Sequence, residues 1–183
     1  MTLPDNSRKR EGSLLMSKGR VSSLRIRPSY RVARISALAA MSVIGSFIHL
    51  PGPFSTIAFD SSPGFFAALF FGAGDGAIVC AIGHLATSTI NGFPLGVLHF
   101  PIAIGLAIAG ATIGLINKLE HRLSFVPALI AGVAINTSLV IVVAPSLGWA
   151  ATLSLVPFIL FASIVNAIVA GATYVGVRGS LRY

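Results

Sequence analysis

The chain has 183 residues, is 55% hydrophobic and only 10% charged, and has a mean hydropathy of +0.88. Those values exclude a water-soluble domain, which at this length carries about 25% charged residues to wet its surface. The net charge of +8 would point to nucleic acid in a soluble protein, but its distribution argues for a membrane and against a nucleic-acid partner.

In chain order, residues 1–29 form a polar, basic segment that reads as a disordered cytoplasmic tail, and 30–183 form a single membrane domain. A juxtamembrane arm drawn to anionic lipid explains the tail as well as a transit peptide does, and Met16 is a second candidate start. The apolar residues come in long blocks, not alternating runs, so the spans are helices. Helix 1 is expected over 30–50, ended by Pro51-Gly52-Pro53, with an external loop over 52–62. Ser62-Pro63 opens helix 2, over 63–73, and Gly74-Asp75-Gly76 makes a tight turn into helix 3, over 77–90. Asn91-Gly92-Phe93-Pro94 is the next external turn. Helix 4 covers 95–116, helix 5 covers 125–143, the turn 144–148 follows, and helix 6 runs over 149–177.

Nine of the 13 Lys and Arg residues precede position 35, Lys118 and Arg122 form a second cluster, and Arg178 and Arg182 a third. The positive-inside rule puts all three clusters in the cytoplasm, so an even number of crossings separates each from the next. Four fit between the first and second clusters and two between the second and third. The expected fold class is therefore an all-α integral membrane protein, a six-transmembrane-helix bundle with N and C termini cytoplasmic. Helices 2 and 3 are short for full spans, and a re-entrant hairpin would satisfy the charge rule equally well.

Polar groups inside spans usually face the bundle interior or a cavity. Cys80, His84, Thr87 and Ser88 share one face of helix 3, His99 lies near the outer end of helix 4, Asn136 and Thr137 in the middle of helix 5, and Asn166 in helix 6. These either hydrogen-bond a ligand or tie helices together, and for Asn166 helix packing is favoured. Asp60, the one acid on the outer side, serves either its own turn or a ligand hydroxyl. Asp75 reads as the turn and cap residue of helix 3. Cys80 and His84 have the i, i+4 spacing of a metal pair, but two ligands without a carboxylate are a weak signal, and no metal is expected. No phosphate-cradling loop, acidic pair or zinc signature occurs, so neither an enzyme nor a cofactor is expected. Ala33 with Ala37, and Ser36 with Ala40, make two small-xxx-small pairs on helix 1, suited to close packing within the bundle or against a partner.

The segments 59–72 (FDSSPGFFAALFFG), 76–85 (GAIVCAIGHL) and 92–96 (GFPLG), in that order, resemble the substrate-binding S component of an energy-coupling factor (ECF) transporter. The likeness covers roughly residues 34–178 and is strongest to the branch associated with α-ribazole and related cobalamin precursors. It implies six helices with both ends inside, in the plasma membrane of a bacterium. It also implies a vitamin pocket open to the outside and gated by the loop after helix 1. The partners it implies are a transmembrane coupling subunit and two ATPase subunits, docked through an Ala-x-x-x-Ala motif that Ala33–Ala37 or Ser36–Ala40 would supply. With the resemblance included, the docking reading of Ala33, Ser36, Ala37 and Ala40 overtakes plain packing. The candidate substrate-binding residues are Asp60, Phe65, His84, Asn91, Phe93, His99 and Asn136. Rival readings are an S component for another vitamin or a metal ion, and a membrane assembly protein with no ligand.

Overall fold

The computed structural model describes residues 28–48, 59–119 and 123–180. The tail over 1–27 and most of the expected gating loop lie outside the described residues. The chain divides into Met1–Ala33 and Arg34–Tyr183, and the bundle below is the second of these.

Six helices form: α1 Pro28–Ser46, α2 Ser62–Phe71, α3 Ala73–Ile90, α4 His99–Asn117, α5 Phe125–Ser138 and α6 Trp149–Ser180. A 3-10 turn, Gly96–Leu98, leads into α4. A 3-10 stretch, Leu139–Val143, and one helical turn, Ala144–Leu147, extend α5. There is no strand among the described residues. Among the described residues, three segments are long and apolar enough to cross a membrane: Gly96–Asn117, Phe125–Leu147 and Trp149–Ser180. The helix Ser62–Phe71 is apolar but shorter.

The break between α2 and α3 differs from the expected Gly74-Asp75-Gly76 turn. All three of those residues are helical, and the chain bends at Gly72 alone, whose φ of 98° lies where only glycine sits without strain. Asp75 is therefore not a cap. It lies in the first turn of α3, where a carboxylate suits the positive end of the helix dipole, and it pairs with Arg34 of α1. The Arg34 guanidinium also covers the Phe71 ring at 4.4 Å.

Because lipid tails are as apolar as leucine, helices in a bilayer associate by close van der Waals packing, and small residues permit it. The α3–α4 crossing is built that way: a Cβ on Gly110 would lie 2.6 Å from the carbonyl oxygen of Gly76. The resulting core runs through five helices, with Phe65 and Ala68 of α2, Cys80 of α3, Leu106 and Ile113 of α4, Leu129 of α5 and Ala170 of α6 buried together. Opposite this core, Ile104, Ile108, Ile130, Leu153, Phe161 and Ile168 are exposed, as suits surfaces whose solvent is hydrocarbon.

Replacing Gly110 with leucine should force the α3–α4 crossing apart, at a cost of about 1–3 kcal/mol typical of overpacking. Gly176→Leu, where an added Cβ meets nothing within 4 Å, should leave the melting temperature of the purified protein nearly unchanged. Equal melting temperatures for the two variants would refute this account of the packing.

Candidate functional site

Where α2, α3, α4, α5 and α6 converge, the bundle leaves a cavity of about 110 Å³. Its polar lining comprises Asp60, Ser61, His84, His99, Asn136, Ser163 and Asn166. Its apolar lining is mostly Ile102 and Leu106 of α4, Leu139, Val140 and Val143 after α5, and Leu155 and Ile159 of α6. The site is thus two-faced, with hydrogen-bonding groups on one side and branched aliphatic side chains on the other.

The polar side is organised by three linked groups. First, the Asn166 side-chain oxygen accepts hydrogen bonds from the backbone N–H of Ser61 (3.1 Å) and of Ser62 (2.8 Å), while its amide nitrogen donates to the Ala162 carbonyl (2.9 Å). A residue of α6 therefore caps the start of α2, whose own preceding residue makes no side-chain cap. Second, this fixes Asp60 and Ser61 at the cavity, and the Ser61 hydroxyl donates to the Asp60 carboxylate at 3.1 Å. Burial pushes the Asp60 carboxyl up from 3.8 to about 6, an effect the Ser61 bond offsets only in part.

Third, the two histidines form a chain in which the position of the His99 proton follows from the geometry. The Leu95 N–H can only donate, so His99 Nε2, at 3.3 Å, accepts and the ring's proton sits on Nδ1. That Nδ1 lies 2.8 Å from Ser88 Oγ, which spends its own proton on the His84 carbonyl at 2.8 Å, and 3.2 Å from His84 Nε2. His84 Nε2 stands beside that N–H and completes the chain of ring contacts. On α5, Asn136 donates from its amide nitrogen to Ser163 Oγ at 2.7 Å.

Of the seven residues expected from the sequence, Asp60, His84, His99 and Asn136 line this cavity. Phe65 does not: it is fully buried in the interhelical core. Asn91 turns back to donate to the Thr87 carbonyl and so terminates α3 (2.9 Å). Phe93, at a φ of 51°, packs edge-on against His99 with centroids 5.4 Å apart, supporting the histidine from behind. Sequence reading missed Ser61 and Ser163. It favoured helix packing for Asn166, and the bonds to Ser61 and Ser62 do tie α6 to the start of α2, at a position that also borders the cavity. The signal present was Ser163 and Asn166 at i, i+3 on one face of the last helix. Cys80 packs into the α2–α3 contact at Gly64, and the described residues hold no group of three His, Cys, Asp or Glu suited to a metal. Ser36, Ala37 and Ala40 of α1 are exposed, as is Ala33, while Ala39 is buried.

Because Asp60 keeps its proton to a higher pH when folded than unfolded, its contribution to stability is full below about pH 4 and is lost as pH rises through about 6. Asp60→Asn should remove that slope. Above pH 6 it should be more stable than the wild type by up to about 3 kcal/mol, taking 1.36 kcal/mol per pKa unit. Parallel melting-temperature profiles for the two proteins between pH 4 and 7 would contradict this assignment.

The comparisons with known proteins converge on the same architecture. Residues 30–177 match the family model described as "ECF transporter, substrate-specific component". A solved structure of the S component of a bacterial ECF transporter is similar in fold, with a TM-score of 0.64 and 23% sequence identity over 86% of this chain and 100% of that one. No curated protein sequence matches the chain. With a family model spanning most of its length, this membrane protein belongs to the substrate-specific S components of ECF transporters, which bind a transported molecule and carry out no chemistry on it.

Proposed function

We propose that the chain captures α-ribazole, or a closely related cobalamin precursor, from outside the cell and delivers it to an ECF module. The observation that carries this reading is the two-faced cavity. Hydroxyls of a ribose suit Asp60, Ser61, Asn136 and Ser163, and a flat benzimidazole suits the aliphatic wall from Ile102 to Ile159. The His84 imidazole adds a further polar group to that side. The family supplies the partners, a membrane coupling subunit and two ATPase subunits, and this chain carries no phosphate-binding loop of its own.

The same reading includes six crossings with both ends cytoplasmic, supported by the three basic clusters and the charge-free stretches between them. It assigns docking to the face of α1 that bears Ser36, Ala37 and Ala40. Their exposure beside buried Leu38 and Ala39 supports that role, since a second helix can approach small side chains closely.

Two experiments test the two halves separately. The purified protein should be stabilised by α-ribazole and less or not at all by cobalamin, riboflavin or folate, with about 2.7 kcal/mol expected at a hundredfold excess over Kd. Absence of any shift with α-ribazole removes the substrate assignment. For docking, Ala37→Leu with Ala40→Leu should preserve ligand binding and abolish co-purification with the coupling and ATPase subunits. Retained assembly would place the docking face elsewhere.

A further inference from the structure

Among the described residues, the cavity holds one ionisable acid and no Lys or Arg to balance an anionic ligand. Asp60 is the only carboxylate of that described lining, whose other polar groups are hydroxyls, amides and two imidazoles. No Lys or Arg occurs between Arg34 and Lys118, or between Arg122 and Arg178, so no connection on this side of the bundle brings an ammonium or guanidinium to the site. The described basic residues that bound those stretches, Arg34, Lys118 and Arg178, are remote or engaged. Arg34 pairs with Asp75 in the first turn of α3, about 14 Å along the helix from His84 at 1.5 Å per residue. Lys118 stands about 28 Å along α4 from His99, and Arg178 about 22 Å along α6 from Ser163.

The other usual seat for an anion, a helix N-terminus, is also taken. The N–H groups of Ser61 and Ser62 at the head of α2 point to Asn166 Oδ1, and Pro63 has none to offer. Both ring nitrogens of His99 are committed, to Leu95 N–H and to Ser88 and His84.

From this arrangement we infer that the cavity selects its ligand by charge. It takes the uncharged, hydroxyl-bearing form of a nucleoside-like molecule and rejects the phosphate ester of that molecule, with Asp60 as the specificity-determining residue. The inference rests on the reading of this cavity as the substrate site. Its physical basis is the cost of desolvating a charge without a partner: a phosphate adds about 1.5 to 2 negative charges and acceptor oxygens only, opposite a carboxylate that accepts and cannot donate. A free hydroxyl in the same place donates to Asp60 and is satisfied.

The test is calorimetric titration of the purified full-length protein at pH 7.5 with matched pairs: α-ribazole and its 5′-phosphate, riboflavin and its 5′-phosphate, adenosine and its 5′-phosphate. The neutral member of the pair that binds should do so at least ~100-fold more tightly than its phosphate, a gap of about 2.7 kcal/mol. Asp60→Asn should narrow that gap about tenfold, mainly by improving the phosphate. A phosphate that binds the wild type as tightly as its parent overturns the inference, as does an unchanged gap in a folded Asp60→Asn protein. Binding of a neutral molecule other than α-ribazole, with its phosphate rejected, overturns the proposed ligand and upholds the charge rule. If no member of any pair binds, both readings fall. Should Asp60→Asn not fold, the wild-type ratio alone decides the question.

Discussion

The hydrogen bonds from Ser61 and Ser62 to Asn166 are the contact on which the rest of the site depends. An unpaired backbone N–H inside a bilayer protein costs several kcal/mol, because no water is present to take its place. The helix Ser62–Phe71 spans about 15 Å, half of a hydrocarbon layer of about 30 Å, and its first residues are buried. Its donors therefore need an acceptor from elsewhere in the bundle. Asn166 supplies one from α6, and is itself held by the Ala162 carbonyl. The position of α6 thus determines where α2 begins, and the beginning of α2 determines where Asp60 and Ser61 stand.

Behind Asp60 the packing is equally tight and is made by glycine. A Cβ on Gly83 would come within 2.8 Å of the Ser42 side chain and 3.8 Å of the Asp60 carbonyl oxygen, so α3 meets the Ser42 side chain of α1 and the Asp60 backbone with no side chain of its own between them. Ser42 and Ser46 face this contact and satisfy their hydroxyls within α1, on the Leu38 and Val43 carbonyls. The opposite side of α1 carries exposed Ser36, Ala37 and Ala40. One helix therefore forms the wall behind the acidic end of the cavity and presents a small-residue face outward. Close-packed contacts transmit displacement because they leave no void to absorb it.

Much of this was legible from the residues. Long apolar blocks and their punctuation by proline and glycine located all six helices, since those signals are local. The inward-facing polar residues of α3 and α5 were legible too, because a polar group in a span has few places to go. What was not legible depended on non-local contact. Phe65 looked like an aromatic stacking group because it lies beside Asp60 in sequence, yet helical geometry rotates it into the core. Asn91 and Phe93 sit in a turn that reads as exposed, and there one closes a helix while the other backs a histidine. Asn166 ties helices together, as the sequence favoured, but its partner and its place beside the cavity were not legible. A lone asparagine in an apolar helix carries no indication that its partner is the backbone of a helix more than 100 positions earlier, bordering a cavity.

Charge placement links the two levels of the reading. Every Lys and Arg lies in three clusters, and the stretches between them hold two acids, Asp60 and Asp75, of which Asp75 is neutralised by Arg34. For a chain inserting into a membrane, that pattern supports an orientation with all three clusters on one side. For a cavity whose described lining comes from the stretches without Lys or Arg, the same pattern removes the residues that anion recognition ordinarily uses. A lysine or arginine introduced near the cavity to hold a phosphate would also weaken the asymmetry that orients the helices. The charge pattern that supports a single orientation therefore also restricts what the cavity can hold, and an uncharged ligand satisfies both constraints.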